Sequence, residues 1–274
     1  MLVATVLALI AAVLHAGWNL VAKRSASPFI ALWGQFAVAA LIGVVGLAVA
    51  GGIPAAAWGY AAITGLIHVP YIAGLAHAYD RGDFSLAYPI ARGGGALVAG
   101  IGGIVLLGDD LSGWSIAAIV TVVAGMTLLA AGADGDQIAT ALFVAVTIGA
   151  YTINDSHASR ELGGNLYPLA VFIACGVFVS LYGIVTGRAR ELRAAMRTGW
   201  PGFTLTASMA IVTYALVLIA VQRAPVGYVA ALRESSVVLA AFVGTRYLSE
   251  AGARRRTVAA TIVLAGLVLL VASA

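Results

Sequence analysis

Two long apolar stretches of this chain carry charged residues well inside them. Arg92 lies within the stretch from Asp83 to Gly108, and Arg233 and Glu234 lie within the stretch from Val226 to Ser249. Each stretch is long enough for a transmembrane helix, which needs roughly 20 apolar residues. An ionisable side chain at the centre of a bilayer costs about 2.5–3.5 kcal/mol on insertion scales, so it should face the protein interior or a water-filled cavity. The two stretches therefore predict an intramembrane site of the kind that serves translocation.

A polar stripe runs down the first apolar stretch. His15, Asn19 and Lys23 follow one another at every fourth position, so they share one face of a helix. They either bond to neighbouring helices, with Lys23 reaching the interface, or line a cavity. His68 lies in the middle of the third stretch, where it is either a hydrogen-bonded core residue or a titrating group suited to proton coupling.

Two further polar pairs are spaced by one helical turn. Tyr88 shares a helix face with Arg92, and Tyr151 shares one with Asp155. Arg92 and Glu234 could form a purely structural ion pair, or a pair that opens during transport. Asp155 is interpreted as a carboxylate near a helix end, at the membrane interface.

The composition is that of an integral membrane protein. Hydrophobic residues make up 62% of the 274 residues and charged residues 9%, whereas a soluble domain has about 25% charged residues. The formal net charge of +4 does not indicate nucleic-acid binding, because the basic residues lie in short loops. The single cysteine, Cys175, excludes an intramolecular disulfide and a cysteine-rich metal site. Since no catalytic, metal-binding or ATP-binding motif is present, we expect neither an enzyme nor a cofactor.

The hydrophobic pattern predicts an all-α membrane protein with ten transmembrane helices. The loops between them are too short for a soluble domain, and Gly187–Gly199 is expected to be a short basic segment at the interface. The predicted spans are 2–22, 29–50, 56–77, 84–107, 113–132, 137–156, 165–187, 200–221, 226–248 and 257–273.

The two halves of the chain echo each other. The string AGMTLLAAGA, which begins at Ala124, matches AGLVLLVASA, which begins at Ala265. This predicts two five-helix repeats, residues 1–132 and 133–274. An odd number of spans in each repeat inverts the second copy, as in many transporters. At an offset of 142, Arg81, Leu97, Gly102 and Leu106 fall on Arg223, Leu239, Gly244 and Leu248. Arg92 then lies opposite Glu234.

Basic residues predict the orientation in the membrane. Ten follow the odd-numbered spans and only Arg160 and Arg223 follow the even-numbered ones. Basic loops stay in the cytoplasm, so both termini are expected outside.

Three strings resemble the EamA branch of the drug/metabolite transporter superfamily: HAGWNLVAK from His15, YDRGDFSLAYPIARGGG from Tyr79 and LRESSVVLAAFVGTRYLSE from Leu232. The resemblance extends over the whole chain and implies a ten-helix transporter whose central cavity is lined by spans one, three, four, six, eight and nine. Members of this branch often carry a proline shortly after the arginine, where this chain has Gly95 or Ala96, and their termini are usually cytoplasmic. With Tyr151 added from the polar face of span six, the candidate binding residues are His15, Trp18, Asn19, His68, Tyr88, Arg92, Tyr151, Arg233 and Glu234.

These residues together predict a secondary active transporter in the plasma membrane. We expect a monomer or homodimer that exports a small polar or amphipathic metabolite by alternating access, with protons as a candidate coupling ion. Arg92 and Arg233 would attract an anionic group, and Glu234 a cationic group or a proton. The alternatives are a flippase for lipid-linked substrates and a non-transporting membrane scaffold. Polar side chains that face inward favour transport, and polar side chains that face the lipid favour a scaffold.

Overall fold

The computed structural model of the protein describes residues 1–81, 84–129, 135–162, 165–236 and 253–272. Within these ranges the regular structure is helical and no strand is present. The helices are α1 Leu2–Lys23, α2 Pro28–Ala50, α3 Ala55–Arg81, α4 Phe84–Leu107, α5 Gly113–Leu129, α6 Gly135–Leu162, α7 Tyr167–Val185, α8 Ala189–Val221, α9 Val226–Arg233 and α10 Ala253–Ala272.

Polar and apolar residues are distributed over the helices as in a membrane protein. Seven of the described helices, α1 to α4 and α6 to α8, are long and apolar enough to cross a membrane. Helices α5 and α10 include shorter apolar segments, Gly113–Leu128 and Val258–Leu269. Their outer faces are apolar: Val49 and Val185 are each 84% exposed and Val105 is 72% exposed. The charged residues Arg92 and Glu234 are instead buried. The prediction of an all-α membrane protein is therefore confirmed.

The basic segment Gly187–Gly199, which was predicted to lie at the interface, is helical from Ala189 onward and continuous with the eighth span. Helix α8 begins at Ala189 and runs for 33 residues through Pro201. Its first turns are held against the bundle because Leu192 is buried and packs against Gly183. The Arg188 guanidinium just before the helix also lies 4.5 Å from the centre of the Phe29 ring, a cation–π contact.

The ninth predicted span is interrupted at Glu234. Helix α9 ends at Arg233, and Glu234 is its C-cap. The Glu234 amide donates to the carbonyl of Ala231, three residues back, over 3.0 Å, which is a tighter turn than an α-helix makes. Residues 235 and 236 are helical again, and the rest of the predicted span, 237–248, lies outside the described residues.

Helices α5 and α10 pack closely through two glycines placed reciprocally. A Cβ atom on Gly125 would lie 3.0 Å from the amide nitrogen of Val263, and one on Gly266 would lie 2.9 Å from that of Val122. Because Val122 and Gly125 face Gly266 and Val263 in reversed order, the two helices are antiparallel. The two glycines lie 141 positions apart, the offset of the echo between the strings at Ala124 and Ala265.

Helices α2 and α7 make a second contact of the same kind. A Cβ atom on Gly43 would lie 2.9 Å from Cγ1 of Ile173, and one on Gly176 would lie 2.5 Å from Cβ of Ala40. These contacts also run in reversed order, so α2 and α7 are antiparallel. Side chains larger than hydrogen would force both helix pairs apart.

The remaining helices enclose the interior between these two pairs. Helix α1 packs against α8 and α9, α6 packs against α3 and α4, and α4 also packs against α9. Helix α3 contacts α7, and α2 contacts α8. This arrangement brings α1, α2, α3, α7, α8 and α9 around one central space.

Candidate functional site

A small cavity lies in the middle of the bundle and is called the central cavity here. Its volume is about 40 Å³, enough for a few water molecules, since one water needs about 10–15 Å³. Aromatic rings and hydrogen-bonding groups form most of its wall. The residues that line it are His15, Trp18, Gln35, Phe36, His68, Tyr71, Val171, Phe172, Ala210, Thr213, Tyr214 and Arg233.

Arg92 and Glu234 form a buried ion pair beside the cavity. The Arg92 Nη2 atom donates to Glu234 Oε1 over 2.6 Å, and Nε donates to Oε2 over 3.3 Å. Their side chains are only 5% and 2% exposed. The two parallel bonds use the planar geometry of the guanidinium, which a lysine could not reproduce. The predicted approach of an arginine to Glu234 is confirmed, with Arg92 as the partner.

Arg233 lines the central cavity, and Arg92 does not. The Arg233 side chain is buried, and its Nε atom has no hydrogen-bond partner among the described residues. Since Glu234 already bonds to Arg92, Arg233 is the permanently charged group that the described cavity wall presents.

The polar stripe of α1 divides into two roles. The rings of His15 and Trp18 both line the cavity and contact each other edge to face, with centroids 4.7 Å apart. Asn19 is buried too, but its amide donates to the His15 carbonyl over 2.9 Å and it is not part of the cavity wall. Of the stripe, His15 is therefore the polar member at the cavity, and the side chain of Lys23 lies outside the described set.

His68 stands in a ring of aromatic side chains on the cavity wall. Its Nδ1 atom lies 2.8 Å from the Thr64 carbonyl, and since a carbonyl only accepts, Nδ1 carries a hydrogen. The ring centroids of Phe36, Tyr71 and Tyr151 lie 5.4, 5.3 and 4.6 Å from that of His68. The imidazole is thus fixed in orientation by one hydrogen bond and by packing.

The resemblance implied cavity walls from spans four and six, and the described residues of α4 and α6 do not line this cavity. Their place is taken by α2 and α7 through Gln35, Phe36 and Phe172. On α6, Tyr151 is buried behind His68 and Tyr71 rather than exposed to the cavity. The predicted Tyr88 side chain lies outside the described residues.

Asp155 is the centre of a buried cluster, which corrects its interpretation as an interfacial carboxylate. It is 0% exposed. Its Oδ1 atom accepts from Thr64 Oγ1 and Tyr167 OH, each over 2.5 Å, and its Oδ2 atom accepts from Tyr214 OH. The prediction failed because α6 continues to Leu162, so Asp155 is more than a helical turn from the end, and α3, α7 and α8 cover it.

Tyr214 connects this cluster to the central cavity, and sequence reasoning missed it. Its ring lines the cavity while its hydroxyl donates to Asp155. A signal was available on α3, where Thr64, His68 and Tyr71 are spaced at i, i+4 and i+7 and so share one face. No comparable spacing marks Tyr214, whose role depends on the helices that pack around it.

A larger cavity adjoins the central one at the end of the bundle where α1 ends and α8 begins. This basic-end cavity has a volume of about 330 Å³. Arg24 and Ser25 line it, and so do Gly199 and Phe203 of α8. Gln35 lines both cavities, so it stands between them.

The opposite end of the bundle is tied together by Arg160 and Asp109. Arg160 Nη1 donates to Asp109 Oδ1 over 2.7 Å, and Arg160 Nε donates to the Val221 carbonyl at the end of α8 over 2.8 Å. Asp109 Oδ2 accepts from the amide of Val226, the first residue of α9, over 2.7 Å. This Arg160–Asp109 clamp joins the end of α6, the segment after α4 and the connection from α8 to α9.

The described residues hold no cluster of three or more histidine, cysteine, aspartate or glutamate side chains that could bind a metal ion. Cys175 is a free, buried thiol.

Comparisons with known proteins show that solved structures share this fold. No family model matches the chain, and no curated protein matches its sequence. Among solved structures 29 chains match. One, described only as "Crystal structure of protein", superposes with a TM-score of 0.72 over 97% of this chain and 95% of the other at 17% identity. Such a likeness at low identity is a shared fold.

Proposed function

We propose that this chain is a secondary active transporter of the EamA type in the plasma membrane. It exports a small polar or amphipathic metabolite through the central cavity by alternating access. In this proposal ten helices span the membrane as two inverted five-helix repeats, residues 1–132 and 133–274. The observation that carries the proposal is a cavity inside an apolar bundle whose wall includes Arg233, His15 and His68.

The direction of the polar side chains supports transport over a scaffold. Arg92, Arg233, Glu234 and Asp155 are all buried. A scaffold that recruits partner helices through charged groups would present such groups toward the lipid. Buried charges are expensive within a bilayer, and where they occur they mark pathways for solutes and ions.

The difference between the two ends of the bundle supports alternating access. At one end the basic-end cavity reaches Gln35, which also lines the central cavity. At the other end the Arg160–Asp109 clamp joins the end of α6, the segment after α4 and the connection from α8 to α9. A carrier opens one side of a central site at a time, and an asymmetric structure of this kind is what one of its states would have.

Reciprocal packing supports the inverted repeat. If α1 to α5 correspond to α6 to α10, then α2 pairs with its own counterpart α7, and α5 with α10. Both pairs are antiparallel and cross at reciprocal glycines. Under the same correspondence the α1–α8 contact becomes α6–α3, and the α4–α6 contact becomes α9–α1, and all four contacts occur. Arg92 and Glu234, 142 positions apart, meet across the same relation.

Reconstituted protein tests the proposal. Liposomes loaded with a mixture of amino acids, organic acids, nucleosides and sugars would be analysed by mass spectrometry for solutes that leave faster than from protein-free liposomes. We expect one chemical class to leave. Arg223→Gln, which removes an exposed charge whose guanidinium bonds to the Ile219 carbonyl near the end of α8, is the matched control for loss of Arg233.

Two other outcomes separate the alternatives. Movement of a fluorescent lipid between leaflets, without release of any water-soluble solute, would identify a flippase. If neither solutes nor lipids move and the protein copurifies in fixed stoichiometry with another membrane protein, the scaffold alternative holds and the transport proposal is wrong.

A further inference from the structure

We propose that the central cavity binds an organic monoanion with an aromatic body, with Arg233 and Trp18 holding its anionic group. This names the substrate class of the proposed transporter and rests on that proposed function. It is carried by unused hydrogen-bond donors that meet at one cavity, by the charge there, and by the aromatic walls.

Three residues of the cavity wall have buried polar atoms without hydrogen-bond partners among the described residues. These atoms are Nε of Arg233, Nε1 of Trp18 and Oγ1 of Thr213. The first two groups can only donate hydrogen bonds. A buried donor left without an acceptor destabilises the protein, so such groups in one cavity indicate a ligand that supplies acceptors. A carboxylate has two oxygens and only accepts, which matches this set.

The charge of the cavity wall points to the same group. The Arg92 and Glu234 charges are paired with each other in two parallel bonds. Arg233 is left as a buried positive charge at the cavity. A single negative charge on the ligand balances it, whereas a cationic ligand would be repelled. Guanidinium also fits a carboxylate in the two-pronged geometry already seen for Arg92.

Aromatic rings form the rest of the wall. Trp18, Phe36, Tyr71, Phe172 and Tyr214 all line the cavity. Aromatic pairs prefer edge-to-face or offset contacts, and the rings of Phe172 and Tyr214 already meet at 79° with centroids 5.9 Å apart. An aryl group of the ligand would take its place among them.

Entry requires one residue to move. The central cavity of about 40 Å³ has room for only a few waters in this conformation, and the basic-end cavity of about 330 Å³ lies beyond Gln35. Gln35 lines both cavities. An aryl anion would enter from the basic end, where Arg24 stands at the cavity wall, and would displace both Gln35 and the waters.

Binding to the purified full-length protein in nanodiscs tests the inference without a flux assay. Benzoate would be compared by calorimetry with benzamide, which has the same shape and no charge, with benzylamine and with acetate. We expect benzoate to bind at least about tenfold more tightly than each of the others, since one charge-assisted hydrogen bond corresponds to about that factor. Equal binding of benzamide or benzylamine would refute the anionic part, and equal binding of acetate would refute the aromatic part.

Variants then assign the donors. Arg233→Gln should weaken benzoate at least about tenfold, Trp18→Phe should weaken it several-fold while keeping an aromatic wall, and Arg223→Gln should have no effect. If Arg233→Gln does not fold, Trp18→Phe and Thr213→Val remain as tests, and benzoate binding unchanged in both would overturn the assignment. Benzoate binding without any flux would leave the site intact and refute transport. Flux of solutes unrelated to aryl anions, with no benzoate binding, would refute the site alone.

Discussion

The hydroxyl of Tyr214 donates a hydrogen bond to the buried carboxylate of Asp155, and the ring of the same residue lines the central cavity. Asp155 itself does not line that cavity. Any rotation of the Tyr214 ring in response to a ligand therefore removes one of the donors around Asp155. Asp155 and a ligand in the central cavity would thus be linked through the Tyr214 side chain, although they share no direct contact.

Tyr214→Phe tests this link. The change keeps the cavity wall and removes the donor to Asp155, so we expect a loss of about 1–3 kcal/mol in stability, because the carboxylate is fully buried. Thermal unfolding in detergent would measure it. Tyr182→Phe, which removes a hydroxyl outside this cluster, is the control, and an equal effect of both changes would contradict the link.

The Arg92–Glu234 pair should behave as a mutually dependent unit. Arg92→Gln or Glu234→Gln alone should destabilise the protein by about 3–5 kcal/mol, because each leaves a buried charge unpaired. The double variant should recover most of that loss. Arg92→Lys should be destabilised as well, since lysine cannot make both bonds. Melting temperatures of the four proteins would measure the coupling, and additive effects would refute it.

The Arg160–Asp109 clamp should control access at its end of the bundle. Ala224 is buried, and its carbonyl accepts from Arg160 Nη2 over 3.2 Å. In a Cys175→Ala background, we expect Ala224→Cys to be protected from a thiol reagent, and Arg160→Gln to increase its labelling rate severalfold. Ala55→Cys, at an exposed position, is the control that should react in both proteins. Unchanged protection of Ala224→Cys would mean that other contacts close this end.

The orientation predicted from the loop charges can be decided in intact cells. With Cys175→Ala as background, Ala189→Cys at the start of α8 should not react with an impermeant thiol reagent added outside, because the basic residues around it should stay in the cytoplasm. Ala55→Cys at the start of α3 should react. The reverse pattern would place the termini in the cytoplasm, as is usual for the EamA branch.

The sequence predicted those site residues whose charge is costly to bury in a membrane. Arg92, Arg233 and Glu234 could be found because a charge in an apolar stretch is conspicuous, and the internal echo placed Arg92 opposite Glu234. His15, Trp18 and His68 do line the cavity. Which arginine pairs with Glu234 and which faces the cavity depends on helix rotation, and periodicity does not supply that.

The missed residues share one physical cause. Asp155, Tyr214 and Gln35 gain their roles from neighbours distant in sequence: the bond from Thr64 to Asp155 spans 91 positions and that from Tyr214 spans 59. The residue pattern along one helix does not identify partners that lie on other helices. The extension of α8 to Ala189 was missed for a similar reason, since packing of Leu192 against α7 holds those turns in place.

The reciprocal glycines of α5 and α10 have the form of an isologous interface, in which one patch serves both partners, although here both partners belong to one chain. Recognition between the halves then depends on surfaces that each half carries independently of the covalent connection. A chain cut between α5 and α6, within residues 130–134, would yield two fragments with complementary contacts at α2–α7 and α5–α10. Co-expressed as separate polypeptides, the two fragments have the surfaces needed to reassemble. The covalent connection then keeps the two halves in equal amounts and is not what holds them together.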